Sequence, residues 1–303
     1  MRNSFIVLGS NSALPTSERF SSAHVLKMHG RFFLIDCAEG TQILLRKNKI
    51  PFSAIDYIFI THLHGDHYLG IFGLLSSFNL LGRKKDIHIY GPAKLREIIK
   101  FHVTYIENDM CFKIHVHNLE ECVNPIYEDK VLTVEVIAMK HRIPTFGFIF
   151  REKLKPRNIK RECIQQYNIP VKELRNIKEG ADFVLDDGSV ISNEILTIAS
   201  PEPISFAFCS DTMYNENIIP IIEGVDLLYH EATFSEEFSQ RAKETFHSTA
   251  CQAAKLALKA HVKKLAIGHF SARFKDVSIL ENEAKTVFEN VIAVRDGMEI
   301  KIS

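Results

Sequence analysis

Several absences narrow what this chain is. No stretch approaches the roughly 20 consecutive apolar residues of a membrane-spanning helix. The opening MRNSFIVLGSNSALP has one early arginine and an apolar run too short for a secretory signal, so it reads as a strand and a loop. The six cysteines (Cys37, Cys111, Cys122, Cys163, Cys209 and Cys251) are scattered, and no Cys-x-x-Cys pair occurs. That excludes a zinc knuckle and a thioredoxin-type redox motif. Without an export signal, a cytoplasmic setting with reduced thiols is expected, most of them small buried hydrophobes. Lys+Arg and Asp+Glu both number 37, so net charge is zero. A uniformly basic nucleic-acid binder is excluded, and any polyanion contact must come from a local patch. No repeat of fixed period and no low-complexity tract occurs.

What is present is a globular composition: 303 residues, 46% hydrophobic, enough for one large or two ordinary domains. Short apolar runs alternate with helical stretches. SFIVLG (4–9), SAHVLKMHGRFFLIDCAEG (22–40), DYIFIT (56–61) and DIHIYG (86–91) read as strands, with a hairpin turn at HGRF and Gly30 at positive φ. TQILLRKNK (41–49), PAKLREIIKFHV (92–103) and STACQAAKLALKAH (248–261) read as helices, the last capped by Ser248 or Thr249.

The chemistry lies at the ends of apolar runs. HLHGDH at 62–67 packs three histidines and an aspartate around Gly65, which is expected to allow a tight bend. DYIFIT leads into His62, LTVEVIAMK (132–140) into His141, ISFAFCS (204–210) into Asp211 and KLAIG (264–268) into His269; DLLY (226–229) precedes His230 and Glu231. A histidine after one strand is ordinarily a hydrogen-bonded residue of no special role. Several at one sheet edge suit metal chemistry, because loops beyond strand ends carry function on a rigid scaffold. His62, His64 and His141 could take one divalent cation, Asp66, His67 and His269 a second, with Asp211 bridging; imidazole and carboxylate donors suit tetrahedral zinc. A pair of such cations activates water for ester hydrolysis. The same donors would accept Mn2+ or Fe2+.

Residues 151–178 depart from the pattern, with nine basic residues against three acidic ones, a net +6. This is either a solvated surface helix or an arm that grips phosphates.

THLHGDH resembles the signature of the metallo-β-lactamase superfamily, and the chain as a whole resembles the ribonuclease Z family of tRNA 3′-processing endonucleases. FIVLGSNSALPTSERFSSAHVL, LIDCAEGTQ, KHRIPTFGF, FCSDT, HEATF, HSTA and GHFSARF follow the family's elements in order. The resemblance implies an α/β (α+β) four-layer αβ/βα metallo-β-lactamase sandwich over residues 1–303, with an inserted basic arm at 151–195. It implies a homodimer with two Zn2+ per chain, and no membrane. The implied reaction cuts precursor tRNA with water activated between the two metals, leaving a 3′-hydroxyl on the tRNA and a 5′-phosphate on the trailer. Asp66 is implied as ligand and proton acceptor. His247 is read as the acid that protonates the departing oxygen, or as a residue that merely precedes a helix cap, with Glu231 orienting its ring. Ser271 and Arg273 are expected to hold a phosphate oxygen, Arg273 being equally readable as a surface ion-pair residue. Lys153, Lys155, Arg157, Lys160, Arg161, Lys172 and Arg175 of the arm are expected to hold the tRNA. Two departures stand out: GSNSALP has less glycine than the family's N-terminal loop, and NIPVKELRNIKEG replaces a Gly-Pro-rich arm sequence. The rival readings are a small-molecule phosphodiesterase or arylsulfatase on the same fold, and a non-catalytic RNA-binding relic.

Overall fold

The structure is a computed structural model that describes residues 3–105 and 110–303, so the early Arg2 lies outside it. The strands are β1 (Ser4–Gly9), β2 (Ala23–Met28), β3 (Arg31–Cys37), β4 (Ile55–Phe59), β5 (Ile87–Gly91), β6 (Ile114–Asn118), β7 (Tyr127–Glu128), β8 (Leu132–Ala138), β9 (Phe146–Glu152), β10 (Asn158–Ile159), β11 (Phe183–Val184), β12 (Val190–Ile191), β13 (Thr197–Ile198), β14 (Ser205–Cys209), β15 (Leu227–Glu231), β16 (Leu265–Gly268), β17 (Val291–Ala293) and β18 (Glu299–Lys301). One seven-stranded sheet runs β18-β1-β2-β3-β4-β5-β6 and another β17-β16-β15-β14-β9-β8-β7. The chain divides into two compact units: Met1–Glu128, Thr133–Phe150 and Ile204–Ser303 form one, Asp129–Leu132 and Arg151–Pro203 the other.

In the first unit the two sheets pack face to face through aromatic side chains. Phe5 of β1 lies 4.9 Å from Phe206 of β14, Phe33 of β3 lies 5.2 Å from Phe150 of β9, and Phe59 of β4 lies 5.0 Å from Phe148. Such pairs contribute about 0.5–1.5 kcal/mol each beyond the apolar area they bury. The alternate residues of the same strands face outward. Ile6, Leu8, Val25 and Ile58 join Leu44 and Leu45 of helix Thr41–Lys47 and Leu74 and Phe78 of helix Ile71–Leu80 in one cluster. Helices Ala250–Lys259 and Ser278–Lys285 pack on the other sheet. Strands covered on both faces must be apolar throughout, and every residue of β1 is buried.

Local chemistry sets the connections. The β2–β3 hairpin turns on His29 (φ 49°) and Gly30 (φ 75°), the positive pair that a two-residue turn needs to match strand twist. Thr249, not Ser248, caps helix Ala250–Lys259, in a reciprocal box with Gln252. The strands stop short of their expected ends: β4 at Phe59, β8 at Ala138 and β14 at Cys209. His62 and His141 thus follow their strands after two residues, and Asp211 after one. His230 and Glu231 lie inside β15 and are buried, rather than following the strand. Only three of the six cysteines (Cys37, Cys163 and Cys209) are buried.

The second unit has its own small core of Cys163, Ile169, Ile177, Phe183 and Leu196. Helices Arg161–Gln166 and Leu174–Lys178 and the two-stranded sheets β10–β13 and β11–β12 surround it. Asn193 ties it together, its side-chain amide donating to the carbonyls of Ile177 and Ala181. Across 151–203 the nine basic residues meet nine acidic ones, because 179–203 adds six acids and no base. The +6 belongs to the first half of the unit, not to the whole.

Candidate metal centre

Four loops at strand ends bring the expected donors together. His62 Nε2 lies 3.0 Å from His64 Nδ1 and 3.5 Å from Asp211 Oδ2; His141 Nε2 lies 3.4 Å from His64 Nδ1 and 4.0 Å from the same Asp211 oxygen. In a second set His67 Nε2 is 3.3 Å from His269 Nε2, and these stand 3.5 and 3.6 Å from Asp66 Oδ2. Asp211 Oδ1 faces this set, 3.6 Å from His67 and 3.4 Å from His269. Donors at about 2.0–2.2 Å from a tetrahedral cation stand roughly 3.3–3.6 Å apart, so both groups could each hold a metal ion. Asp211 offers one oxygen to each. Its Oδ1 is buried with no hydrogen-bond partner, a costly state for a carboxylate oxygen unless a cation is its partner. The donor set therefore fits two divalent cations.

The other ring nitrogens are held. His67 Nδ1–H donates to Asp36 Oδ2 at 2.7 Å, His141 Nδ1 is hydrogen-bonded to the Phe246 carbonyl at 2.9 Å, and His269 Nδ1 to Thr233 Oγ1 at 3.1 Å. Such contacts fix the tautomer and aim the free nitrogen at a cation. Two of these supports and one ligand come from strained backbone: Asp36 (φ 58°), Phe246 (φ 60°) and His269 itself (φ 59°) lie in the left-handed region, which is uncommon for non-glycine residues. Gly65 does not form the bend expected of it; it opens the short helix Gly65–Tyr68, with His64 as extended N-cap. Sterically, Gly70 just beyond this helix is the tighter position: an added Cβ there would sit 1.8 Å from the Ala38 carbonyl oxygen.

Charge follows geometry. Burial disfavours ionisation of Asp66 and Asp211, but the imidazoles around them outweigh it and hold both carboxyls far below the usual range. Burial pushes His62 well down, reinforced by His67. Beside the donors, Glu231 is wholly buried and accepts from the Ser248, Thr212 and Thr233 amides, from Thr233 Oγ1 and from His247 Nδ1 at 3.0 Å. Burial opposes protonation of His247, yet the Glu231 carboxylate raises it to about 9.

The cleft over these donors has a volume of about 560 Å³ and is walled by Leu14, Pro15 and Leu69, with Arg142 the one arginine or lysine among the described residues that line it. Arg142 donates to the Glu244 carbonyl at 2.7 Å and lies over Phe246. Ser271 and Arg273 do not line this cleft: Arg273 Nε donates to Ser271 Oγ, and its guanidinium stacks on Phe234 and Phe238. Of the arm residues, Lys155 pairs with Glu152, Arg175 with Glu179, Arg157 donates to Thr197 and Lys160 to the Ile195 carbonyl. Lys153 is half-buried, while Arg161 and Lys172 are exposed. Asp36, Thr233 and Arg142 were given no role by the sequence, although LIDCAEGTQ, HEATF and KHRIPTFGF contain them; an aspartate next to the end of a largely apolar strand was the legible signal.

Solved structures place the architecture. Human tRNase Z, short form, superposes with a TM-score of 0.71 at 26% identity, covering 99% of each chain. The metallo-beta-lactamase fold protein YhfI from Bacillus subtilis gives 0.71 at 19%, a likeness of fold, over 99% of this chain and 100% of its own. Fold and donor arrangement together define a metal-dependent hydrolase of the metallo-β-lactamase fold. The family model described as Anti-Pycsar protein Apyc1 matches residues 3–157, which carry His62–His67 and His141 but not Asp211, His247 or His269. Ribonuclease Z of Bacteroides fragilis is 45% identical over 297 residues, 98% of each chain, and that of Phocaeicola vulgatus 46% over 98% of this chain and 96% of its own. The chain belongs to the ribonuclease Z family.

Proposed function

We propose that the protein is a zinc-dependent endoribonuclease that removes 3′ trailers from precursor tRNA, leaving a 3′-hydroxyl on the tRNA and a 5′-phosphate on the trailer. The observation that carries this reading is the Asp211 carboxylate set between two donor groups, in a chain of the ribonuclease Z family. Its similarity to human tRNase Z, short form, points to tRNA.

Two cations held by His62, His64 and His141 and by Asp66, His67 and His269, with Asp211 between them, would supply Lewis acidity and lower the pKa of a shared water. The chain's own groups do the rest. Asp66, fixed by the Ala13 amide at 2.7 Å, accepts the proton of the attacking water. His247, kept charged and oriented by Glu231, gives a proton to the departing 3′-oxygen, a role for which a raised pKa is suited. Arg142 offers the cleft's cationic contact to the backbone. We read residues 151–195 as an arm within a single metallo-β-lactamase-like domain, 1–303. Lys153, Lys155, Arg157, Lys160, Arg161, Lys172 and Arg175 of that arm bind tRNA phosphates through counterion release, and Ser271 and Arg273 hold a phosphate oxygen away from the cleft. The protein acts as a homodimer in the cytoplasm; among its described residues no helix is long and apolar enough to cross a membrane. Manganese or iron would also satisfy the donors.

Incubation of the purified protein with end-labelled precursor tRNA, with and without a chelator, tests the reading. Chelator-sensitive release of an intact trailer with a 5′-phosphate supports it. Hydrolysis of bis-p-nitrophenyl phosphate with no cut in the tRNA would favour the small-molecule phosphodiesterase.

A further inference from the structure

His247 stands between two hollows. One face borders the cleft over the donors. It also lines a second pocket of about 400 Å³, walled by Met213, Tyr214, Gln240, Lys243 and Gln252. That pocket is lined by none of the metal-centre donors and by no residue given a chemical role above apart from His247. Its walls are fixed: the Met213 amide donates to the Lys140 carbonyl at 3.0 Å, the Tyr214 hydroxyl to Glu216 at 2.7 Å, and Gln240 Nε2 to Glu244 at 3.0 Å. Lys243 is exposed on the last turn of helix Ser239–Thr245 and makes no ion pair among the described residues.

We infer that this pocket holds the nucleotide on the 5′ side of the scissile bond, with Lys243 on that nucleotide's own 5′-phosphate. The inference rests on the reading of His247 as the acid, and strand polarity then follows from the chemistry. In-line attack opens the P–O3′ bond. The oxygen of the attacking water becomes part of the trailer's 5′-phosphate, and the P–O3′ electron pair leaves on the 3′-oxygen, which takes the proton from His247. The atom that receives that proton must lie against the imidazole, so the ribose bearing it lies on His247's side while the phosphorus lies over the donors. The second pocket is the space adjoining His247 beyond that oxygen. About 400 Å³ falls within the range of small-ligand pockets and suits one nucleotide. A single ammonium point charge suits a backbone phosphate one residue upstream, and the flat Tyr214 ring is the kind of surface on which RNA bases stack.

Lys243→Ala tests the inference on three probes. For precursor tRNA, KM is expected to rise about ten-fold, with the slope of log KM against log salt reduced by about one. For bis-p-nitrophenyl phosphate, which has no upstream nucleotide, kcat/KM should stay within two-fold and metal content should not change. Adenosine 5′-monophosphate, a 3′-hydroxyl nucleotide that mimics the product end, should bind the wild-type protein and bind the variant about ten-fold more weakly; Lys243→Glu should weaken it further. Wild-type kinetics of the variant on tRNA, equal loss on both substrates, or unchanged binding of adenosine monophosphate would overturn the assignment. Failure of the wild-type protein to cut tRNA would instead refute the proposed function, and the nucleotide-binding comparison would still decide the pocket.

Discussion

Glu231 and Arg161 mark two ways in which this chain uses charge. Glu231 is buried inside β15 and accepts five hydrogen bonds, one of them from His247. Arg161 opens a six-residue helix in the inserted unit and is exposed. Around the donor cluster of the sandwich, His62, Asp66, Asp211, Glu231 and His247 are desolvated and held by neighbours, and their protonation equilibria are displaced. In the inserted unit the ionisable groups face water, where single ion pairs are weak and screened. The sandwich can therefore fix atoms for chemistry, whereas the inserted unit can only offer a field, and a divided one, basic in 151–178 and acidic in 179–203.

The contrast can be broken most decisively at its fixed end. Asp211→Ala should lose both cations and, with them, on the order of 10⁴-fold in turnover on tRNA and on bis-p-nitrophenyl phosphate alike. Metal analysis beside the two assays checks it, and a protein that keeps both ions would remove Asp211 from the bridge. His247→Ala should lower kcat on tRNA by about 10²–10⁴-fold with metal content unchanged. A parallel loss of metal would make the residue structural. Because His247 must be protonated to act and its pKa is raised to about 9, kcat/KM should fall as pH rises through that value. Glu231→Gln should move this limb to lower pH. The same displacement contributes stability that is complete below 6.5, the ordinary histidine value, and fades as pH rises through about 9.

Replacing 153–203 with a short glycine–serine linker should cost about 10²-fold or more in kcat/KM on precursor tRNA while sparing bis-p-nitrophenyl phosphate; intact tRNA cleavage would show that the unit is dispensable. Asp36→Asn should weaken metal affinity by about 10–100-fold, read by competition with a chromogenic chelator. The smallest effects belong to single arm cations: Arg161→Ala and Lys172→Ala should each lower the salt slope of tRNA binding by about one and leave the thermal midpoint in place.

The sandwich was largely legible because two periodicities and a set of strand-end donors all pointed to one edge. HLHGDH, KHRIPTFGF, FCSDT and GHFSARF each brought a donor to the centre. What escaped notice was whatever depended on tertiary partners. Asp36 is an aspartate in an apolar strand until the fold sets His67 against it, and Arg142 is one surface arginine until the Phe246 loop closes beside it. Gly65 was read as a bend where the backbone is helical, since glycine permits many conformations and demands none. The charge of 151–178 was counted correctly, but the count stopped short of 195, the expected end of the arm, so the acids of 179–203 that balance it went unweighed.

Thr233 leaves one more consequence. Its hydroxyl stands 2.8 Å from Glu231, 3.3 Å from His247 Nδ1 and 3.1 Å from His269 Nδ1. A single rotor thus sits at the junction between the group that would anchor a cation and the group that would discharge the leaving oxygen. Neither half of the chemistry can be retuned by substitution at this position without disturbing the other, so variants of the enzyme with altered pH response must be sought elsewhere in its framework.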